Sequence, residues 1–257
     1  MEFDLSKINF SKYDEKRGLT LPKEYSKDLA EFWGIMAGDG YMNKYGQYFS
    51  LAEIAGDSRL DREYLLLYVN HLIKRLFNIN PSLCFKKNEN TMYLRIMSKG
   101  FLEYLDFLEF PRGEKGQISI PKWILSDPDF LLSFIKGLAD TDFSLVLLDR
   151  KQKKYLYYPR ISLGLKSKPI IKEVERWANM QGLSTTVQYD CLVKDKRGFE
   201  SVIHRLHING RKNLKIWMQI VSFRNKRHLD KYKKYKMRPL GFEPRIQEGI
   251  RDLIPFT

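Results

Sequence analysis

The 257-residue sequence is poor in features that mark several large classes of proteins. It has two cysteines, Cys84 and Cys191, too few for a disulfide framework and too isolated for a metal-ligand cluster. No apolar run reaches the roughly 18 residues of a membrane-spanning helix, and the N-terminus shows no signal peptide. These absences predict an intracellular protein with no membrane partner, which is cytoplasmic and nucleoid-associated in a prokaryote and organellar otherwise.

Acidic residues are also scarce relative to basic ones. The chain has 31 Asp and Glu against 45 Lys and Arg, which gives a net charge of +14 and a pI near 9.6. Such an excess of positive charge suits a polyanionic partner. The hydrophobic content of 43% is enough for one large core or two modest ones.

Two apolar stretches at helical spacing, residues 29–40 and 134–143, each carry an acidic residue at the end. Asp39 closes the first stretch and Asp142 the second, 103 residues later. A carboxylate is disfavoured at the C-terminus of a helix, where the partial charge is negative, unless a positive charge lies beside it. A divalent metal ion would supply that charge.

Small residues predict that these two helices pack side by side. Gly34 and Gly38 are four residues apart and therefore share one face of the first helix, as Gly137 and Thr141 do in the second. Such a helix-helix interface allows close approach of the backbones and would bring Asp39 together with the equivalent acid. The alternative is two unrelated core helices with glycine C-caps, and the matching position of the acids argues against it.

The order of predicted elements occurs twice along the chain. Each copy runs helix, two strands, helix, two strands, helix, with Ser26 and Asp127 as N-caps of the two motif helices. The predicted domains are an N-terminal extension (1–25), a first half (26–125), a second half (126–236) and a C-terminal tail (237–257). One-sided basic runs at 150–168 and 224–238 favour contact with phosphates.

Residues 33–40 and 136–142 resemble the two signature helices of LAGLIDADG homing endonucleases, in the single-chain form with two motifs. The similarity extends from about residue 16 to residue 236 and departs from the family pattern at Phe143, where the family usually has Gly. The resemblance implies an α+β fold. Its two pseudo-symmetric αββαββα halves would carry antiparallel DNA-binding sheets that flank a central pair of motif helices.

The resemblance also implies the residues of a catalytic site. Asp39 and Asp142 would hold Mg²⁺ or Mn²⁺, assisted by the backbone carbonyls of Gly38 and Thr141. Family members use a basic residue near each scissile phosphate, and Lys115 resembles that residue in the first half. For the second half we expect Lys226.

Polar side chains on the outer faces of the predicted sheets are candidates for reading DNA, because a β-ribbon can enter the major groove. The basic segment between the first two strands of the second half adds candidates for phosphate contact. The DNA-binding residues predicted in this way are Asn43, Lys44, Gln47, Tyr48, Ser50, Arg150, Lys151, Lys153, Lys154, Arg160 and Ser162.

The function implied by the resemblance is site-specific, metal-dependent cleavage of double-stranded DNA in intron homing. The enzyme would hydrolyse phosphodiester bonds as a monomer, at a long target that is asymmetric because the two halves differ. Two alternatives on the same fold remain open. One is a maturase-like protein that binds intron RNA, and the other is a DNA-binding regulator; neither cleaves DNA.

Overall fold

A computed structural model of the chain describes residues 3–46, 49–149, 157–194 and 198–237. After a short helix, α1 (Lys12–Lys16), the first half consists of four further helical elements and four strands. They are α2 (Lys27–Asp39), β1 (Gly40–Tyr45), β2 (Phe49–Asp57), a π-helical segment (Tyr64–Val69) that continues into α3 (Asn70–Phe77), β3 (Ser82–Phe85), β4 (Thr91–Met97) and α4 (Lys99–Phe107).

The second half repeats this arrangement after a loop and the short helix α5 (Lys122–Leu125). Its elements are α6 (Pro128–Thr141), β5 (Ser144–Asp149), β6 (Tyr157–Leu165), α7 (Lys168–Met180), β7 (Thr185–Lys194), β8 (Glu200–Asn209), α8 (Arg211–Ile220) and α9 (Lys226–Met237). The two antiparallel sheets have equivalent strand orders, β1-β2-β4-β3 and β5-β6-β8-β7. The predicted α+β fold class with two four-stranded sheets is confirmed.

The caps of the two central helices follow from the sequence. The hydroxyl of Ser26 accepts a hydrogen bond from the backbone N–H of Leu29 and begins α2. The carboxylate of Asp127 accepts from Asp129 and Phe130 and begins α6, with proline at the first helical position.

The helices α2 and α6 pack against each other with their backbones in contact. A Cβ atom on Gly34 would lie 2.9 Å from the carbonyl carbon of Phe134 and closer still to its oxygen. A Cβ on Gly137 would lie 2.9 Å from the backbone nitrogen of Ile35 and closer to the carbonyl oxygen of Glu31. The two contacts are related by the offset of 103 residues, so the pair has an approximate two-fold axis, and neither position has space for a side chain.

Three features differ from the expected elements. The second helix of the first half begins as a π-helix at Tyr64–Val69, with backbone hydrogen bonds between residues five apart, where a regular helix was expected. The basic segment between the first two strands of the second half is shorter than expected, because Tyr157 and Tyr158 lie in β6. The basic run that begins at Arg224 forms a helix, α9, which packs against β5.

The segment that leads into α9 connects the second half to the first. The guanidinium of Arg224 pairs with buried Glu31 of α2 at 2.7 Å. The side-chain amide of Asn225 donates to Asp61 at 2.7 Å, while its backbone N–H donates to Asp140 at 2.8 Å. Arg224 and Asn225 therefore hold the two halves together, although the basic run that contains them suggested contact with phosphates.

Within the described ranges, no helix combines the length and the apolar character that crossing a bilayer requires. The core lies between each sheet and its helices and continues through the α2–α6 pair. Phe143, the departure from the motif pattern, is fully buried and packs on Trp217 with ring centroids 4.9 Å apart. It fills the core of the second half directly after Asp142.

Candidate active site

The two motif acids lie at adjacent helix ends. Asp39 is the last residue of α2, and Asp142 is the C-cap of α6. A Cβ built on Gly38 would lie 2.5 Å from Oδ2 of Asp142, so this carboxylate lies directly against the end of the other helix. The prediction that helix packing brings the two ends together agrees with this geometry.

A lysine binds the C-terminal end of α2. The Nζ of Lys115, from the loop after α4, donates to the carbonyl of Ala37 at 2.9 Å and to that of Met36 at 3.3 Å. It also donates to the carbonyl of Gly38. The cation thus satisfies carbonyls of the last helical turn and offsets the negative end of the helix dipole beside Asp39.

An arginine has the equivalent position at the end of α6. Arg227 donates through one terminal nitrogen to the carbonyls of Asp140 (3.3 Å) and Thr141, and through the other to Asp61 at 3.1 Å. Lys226, the residue expected here, instead pairs with Glu63 at 3.2 Å, and both of these side chains are largely exposed. Lys226 and Arg227 make different contacts because successive side chains of a helix point about 100° apart. The basic run in the sequence could not show which of the two reaches the end of α6.

The electrostatics of the acid pair follow from partial burial. Asp39 and Asp142 are intermediate in exposure as whole residues, yet both carboxylates are surrounded by enough protein that burial raises their pKa. The charge of Asp142 adds to this effect at Asp39, while Arg227 and Lys115 oppose it. Burial also lowers the pKa of Lys115, against the attraction of the two acids.

The donor set fits a hard divalent cation. Oδ2 of Asp142 is a buried oxygen without a hydrogen-bond partner in the described part of the chain, and two negative groups that repel each other favour a cation between them. Carboxylate and carbonyl oxygens are the ligands that Mg²⁺ prefers, and Mg²⁺ usually retains several waters. No cluster of three or more His, Cys, Asp or Glu suited to a metal occurs among the described residues, so backbone carbonyls and water would complete the site.

Asp140, two residues before Asp142, points away from the acid pair. Its carboxylate accepts hydrogen bonds from the backbone N–H groups of Arg224 and Asn225, both at 2.8 Å. Burial raises the pKa of Asp140 to about 6, although these hydrogen bonds oppose the change. Asp140 therefore fixes the segment that delivers Arg227 to the helix end.

The predicted DNA-binding residues of the first half separate onto two faces. Asn43 lies on the outer face of β1, where it donates to the hydroxyl of Tyr41 at 3.1 Å. Ser50 was expected on the same face, but it is only 8% exposed. Because side chains alternate between the two faces of a strand, Ser50 lies on the inner face with Ala52, and the expected outward orientation is wrong. Lys44 is exposed, on the opposite side of β1 from Asn43. Gln47 and Tyr48 lie outside the described residues.

In the second half, both predicted strand residues lie on the outer face of β6. The guanidinium Nε of Arg160 donates to Asn209 at 2.8 Å, and the hydroxyl of Ser162 is 3.0 Å from Nδ1 of His207. The partners Asn209 and His207 on β8 were not anticipated; strand pairing alone brings them there. The predicted phosphate contacts outside the described residues are Arg150, Lys151, Lys153 and Lys154.

Comparison with solved structures identifies the fold. The homing endonuclease I-DmoI in complex with DNA and Ca is 24% identical, with a TM-score of 0.51 over 77% of this chain and 91% of that one. The LAGLIDADG homing endonuclease I-LtrWI bound to target DNA is 11% identical, with a TM-score of 0.50 over 82% and 89% of the two chains. The chain therefore has the fold of LAGLIDADG homing endonucleases.

Similarity to curated proteins is weaker and partial. A tRNA-splicing ligase RtcB from Pyrococcus abyssi is 23% identical over 76% of this chain and 22% of its own length. A replication factor C small subunit from Methanocaldococcus jannaschii is 23% identical over 79% of this chain and 10% of its own. The chain thus spans less than a quarter of the length of each of these relatives, and no protein-family model matches it.

Proposed function

We propose that the chain is a site-specific endonuclease that cleaves double-stranded DNA with the help of a divalent metal ion. The observation that carries this proposal is the pair of carboxylates, Asp39 and Asp142, at the adjoining ends of α2 and α6, each beside a cation bound to the same helix end. A structural helix pair has no need of two partly buried acids that repel each other. The comparison with DNA-bound homing endonucleases supports the same reaction.

Each residue has a distinct role in this mechanism. Asp39 and Asp142, with the carbonyls of Gly38 and Thr141, would hold Mg²⁺ or Mn²⁺, which activates a water molecule and stabilises the leaving oxygen when bound. Lys115 and Arg227 lie where positive charge would stabilise the negative charge that develops on the two scissile phosphates. We therefore propose Arg227 in place of Lys226 as the basic residue of the second half.

The two outer sheet faces would hold the DNA on either side of the acids. Strand β1 begins directly after Asp39, and β5 begins two residues after Asp142, so both faces start at the site. Arg160 on the second face has the fork geometry that pairs with base edges in the major groove. Because the two halves carry different side chains, the target would be asymmetric and one chain would suffice for it.

The decisive experiment compares the wild-type chain with Asp39→Asn and Asp142→Asn. A target is first selected from randomised duplexes by binding without metal, then incubated with Mg²⁺ or Mn²⁺ in a plasmid. We expect the wild type to cut both strands, and each variant to lose double-strand cleavage while it still binds. A wild-type chain that binds but never cuts would favour the regulator, or the maturase-like protein if intron RNA binds more tightly.

Metal binding has a readout that does not depend on cleavage. At a metal concentration tenfold above Kd, the wild type should gain about 1.4 kcal/mol of stability. Asp142→Asn should lose most of that gain, whereas Asp129→Asn, on the exposed surface of α6, should keep it. Equal thermal shifts in all three proteins would contradict the proposed metal site.

A further inference from the structure

The outer faces of the two sheets differ in chemistry, although their strands have the same order. Residues directly opposite each other in a ladder share a face. In the first sheet, Asn43 pairs with Leu51, which pairs with Met97, and Tyr45 pairs with Phe49 near the tip of the hairpin. Tyr45, Phe49 and Met97 are each between 44% and 48% exposed. The part of this face near the hairpin is therefore apolar and aromatic.

The two opposite charges in the middle of the first face neutralise each other, and Asp57 at the end of β2 accepts hydrogen bonds from the backbone of Arg59 and Leu60. Glu53 and Arg95 are opposite neighbours on β2 and β4, and their side chains form an ion pair of 2.6 Å. The amide of Asn43 is also engaged, because its oxygen accepts from the N–H of Lys44 at 2.8 Å and its nitrogen donates to Tyr41. Hydrogen-bonding groups on this face are mostly satisfied within the protein, which leaves apolar contact as its principal means of recognition.

The second face presents arginines on two rows of the ladder. Arg160 pairs with Asn209, and Arg205 lies between Gly164 and Gln188. Among the described residues, no carboxylate lies on these rows. Asn209 accepts from Nε of Arg160. No further hydrogen bond of this guanidinium is found within the described residues, so its two terminal nitrogens remain as a fork of donors.

These two chemistries suit different bases. In the major groove, thymine presents an apolar C5-methyl group, and guanine presents the O6 and N7 acceptors that a guanidinium fork binds. We propose that the first sheet selects thymines through Phe49 and its neighbours, and that the second sheet selects guanines through Arg160 and Arg205. The target would then be thymine-rich on one side of the cleavage position and guanine-rich on the other. This inference rests on the proposed function.

The ligand assigned to the apolar face is DNA. An exposed apolar face often binds another protein or a second copy. Here the face is continuous with β1, which begins directly after Asp39. The equivalent face in the other half carries Arg160 and Arg205, neither of which has a carboxylate partner among the described residues. A duplex that lies across the acids would meet both faces.

The test is the selection of binding sites from randomised duplexes by the full chain and four variants. Phe49→Ser should remove the thymine preference on one side of the site only. Arg160→Lys keeps the positive charge and should reduce the preference for guanine over other bases on the other side by roughly 5- to 150-fold. Phe85→Ser is the matched control for the first, because Phe85 is at least as exposed (53% against 44% for Phe49) but pairs with buried Met92 on the opposite face. Arg176→Lys, on the exposed side of α7, is the control for the second.

Replacement of thymine by uracil in the selected site gives an independent measurement, because it removes only the methyl group. Each substitution on the side read by the first sheet should weaken binding by up to about fourfold, and Phe49→Ser should reduce that loss. Substitution on the other side should have little effect.

Four results would overturn the inference. A selected site with the same composition on both sides, or one that tolerates uracil throughout, contradicts the divided readout but leaves the endonuclease proposal intact. Concentration-dependent dimers that Phe49→Ser abolishes would assign the apolar face to a second copy. If no duplex is selected at all, the proposed function fails as well.

Discussion

The replacement of Gly34 by alanine is the most direct test of the helix pair. The added Cβ would lie 2.9 Å from the carbonyl carbon of Phe134 and closer to its oxygen, whereas carbon atoms in contact are normally about 3.5–4.0 Å apart. These neighbours are backbone atoms that cannot rotate away. The helices must therefore separate by about 1 Å, which is the difference between a normal carbon–carbon contact and the contact that the added Cβ would make.

The expected magnitude combines two opposite effects. Overpacking of this kind costs up to about 3 kcal/mol, while the change from Gly to Ala within a helix contributes about 1 kcal/mol of stability. The net destabilisation is about 2 kcal/mol, equivalent to a fall in Tm of about 4–8 °C for a chain of this size. Cleavage should fall by about a hundredfold, because a displacement of about 1 Å separates Asp39 from its partner acid.

Thermal unfolding and plasmid cleavage measure these effects, with two comparisons. Gly137→Ala should behave in the same way, since it makes the equivalent contact with Glu31. Gly164→Ala should leave both quantities unchanged, because its Cβ would meet only Ile203, at 3.9 Å. If Gly34→Ala retained the wild-type Tm and full cleavage, the close-packed helix pair would be refuted.

Three further predictions concern the cations, pH and salt. Arg227→Lys should impair cleavage of one strand, because a single ammonium cannot contact both Asp61 and the carbonyls of α6, whereas Lys226→Met should cleave normally. If Lys226→Met impaired cleavage and Arg227→Lys did not, Lys226 would be the basic residue of the second half. Hydrogen bonds from Ser98 and Ser11 outweigh burial and lower the pKa of Asp14. Its stabilisation is therefore present above pH of about 4 and lost as the pH falls further, so the Tm difference between wild type and Asp14→Asn should shrink in acid; a constant difference would contradict this. Without metal, DNA affinity should fall by about 10³- to 10⁵-fold between about 50 and 200 mM salt if six to ten phosphates are contacted, and a flat response would argue against such a surface.

The sequence by itself determined the features that depend on local pattern. Helical periodicity followed by strand alternation gave the order of the elements, and the glycines of the motif helices indicated which faces would meet, because only residues without side chains permit backbone contact. The caps at Ser26 and Asp127 were also readable, since a cap is an interaction within three residues. The acids Asp39 and Asp142 were identifiable because each stands at an unfavourable helix end.

Only the tertiary structure decided which distant side chains reach that end. Lys226 and Arg227 are neighbours in a basic run, and the choice between them depends on the direction in which α9 leaves the second half. Asp61 and Asn225 are 164 residues apart, and their contact follows from the packing of the two halves. The inward orientation of Ser50 likewise follows from the register in which β2 pairs with β1, where Ser50 lies opposite Lys44. Local pattern specifies elements and their buried faces, whereas a site built between two halves depends on contacts that form only when the chain is folded.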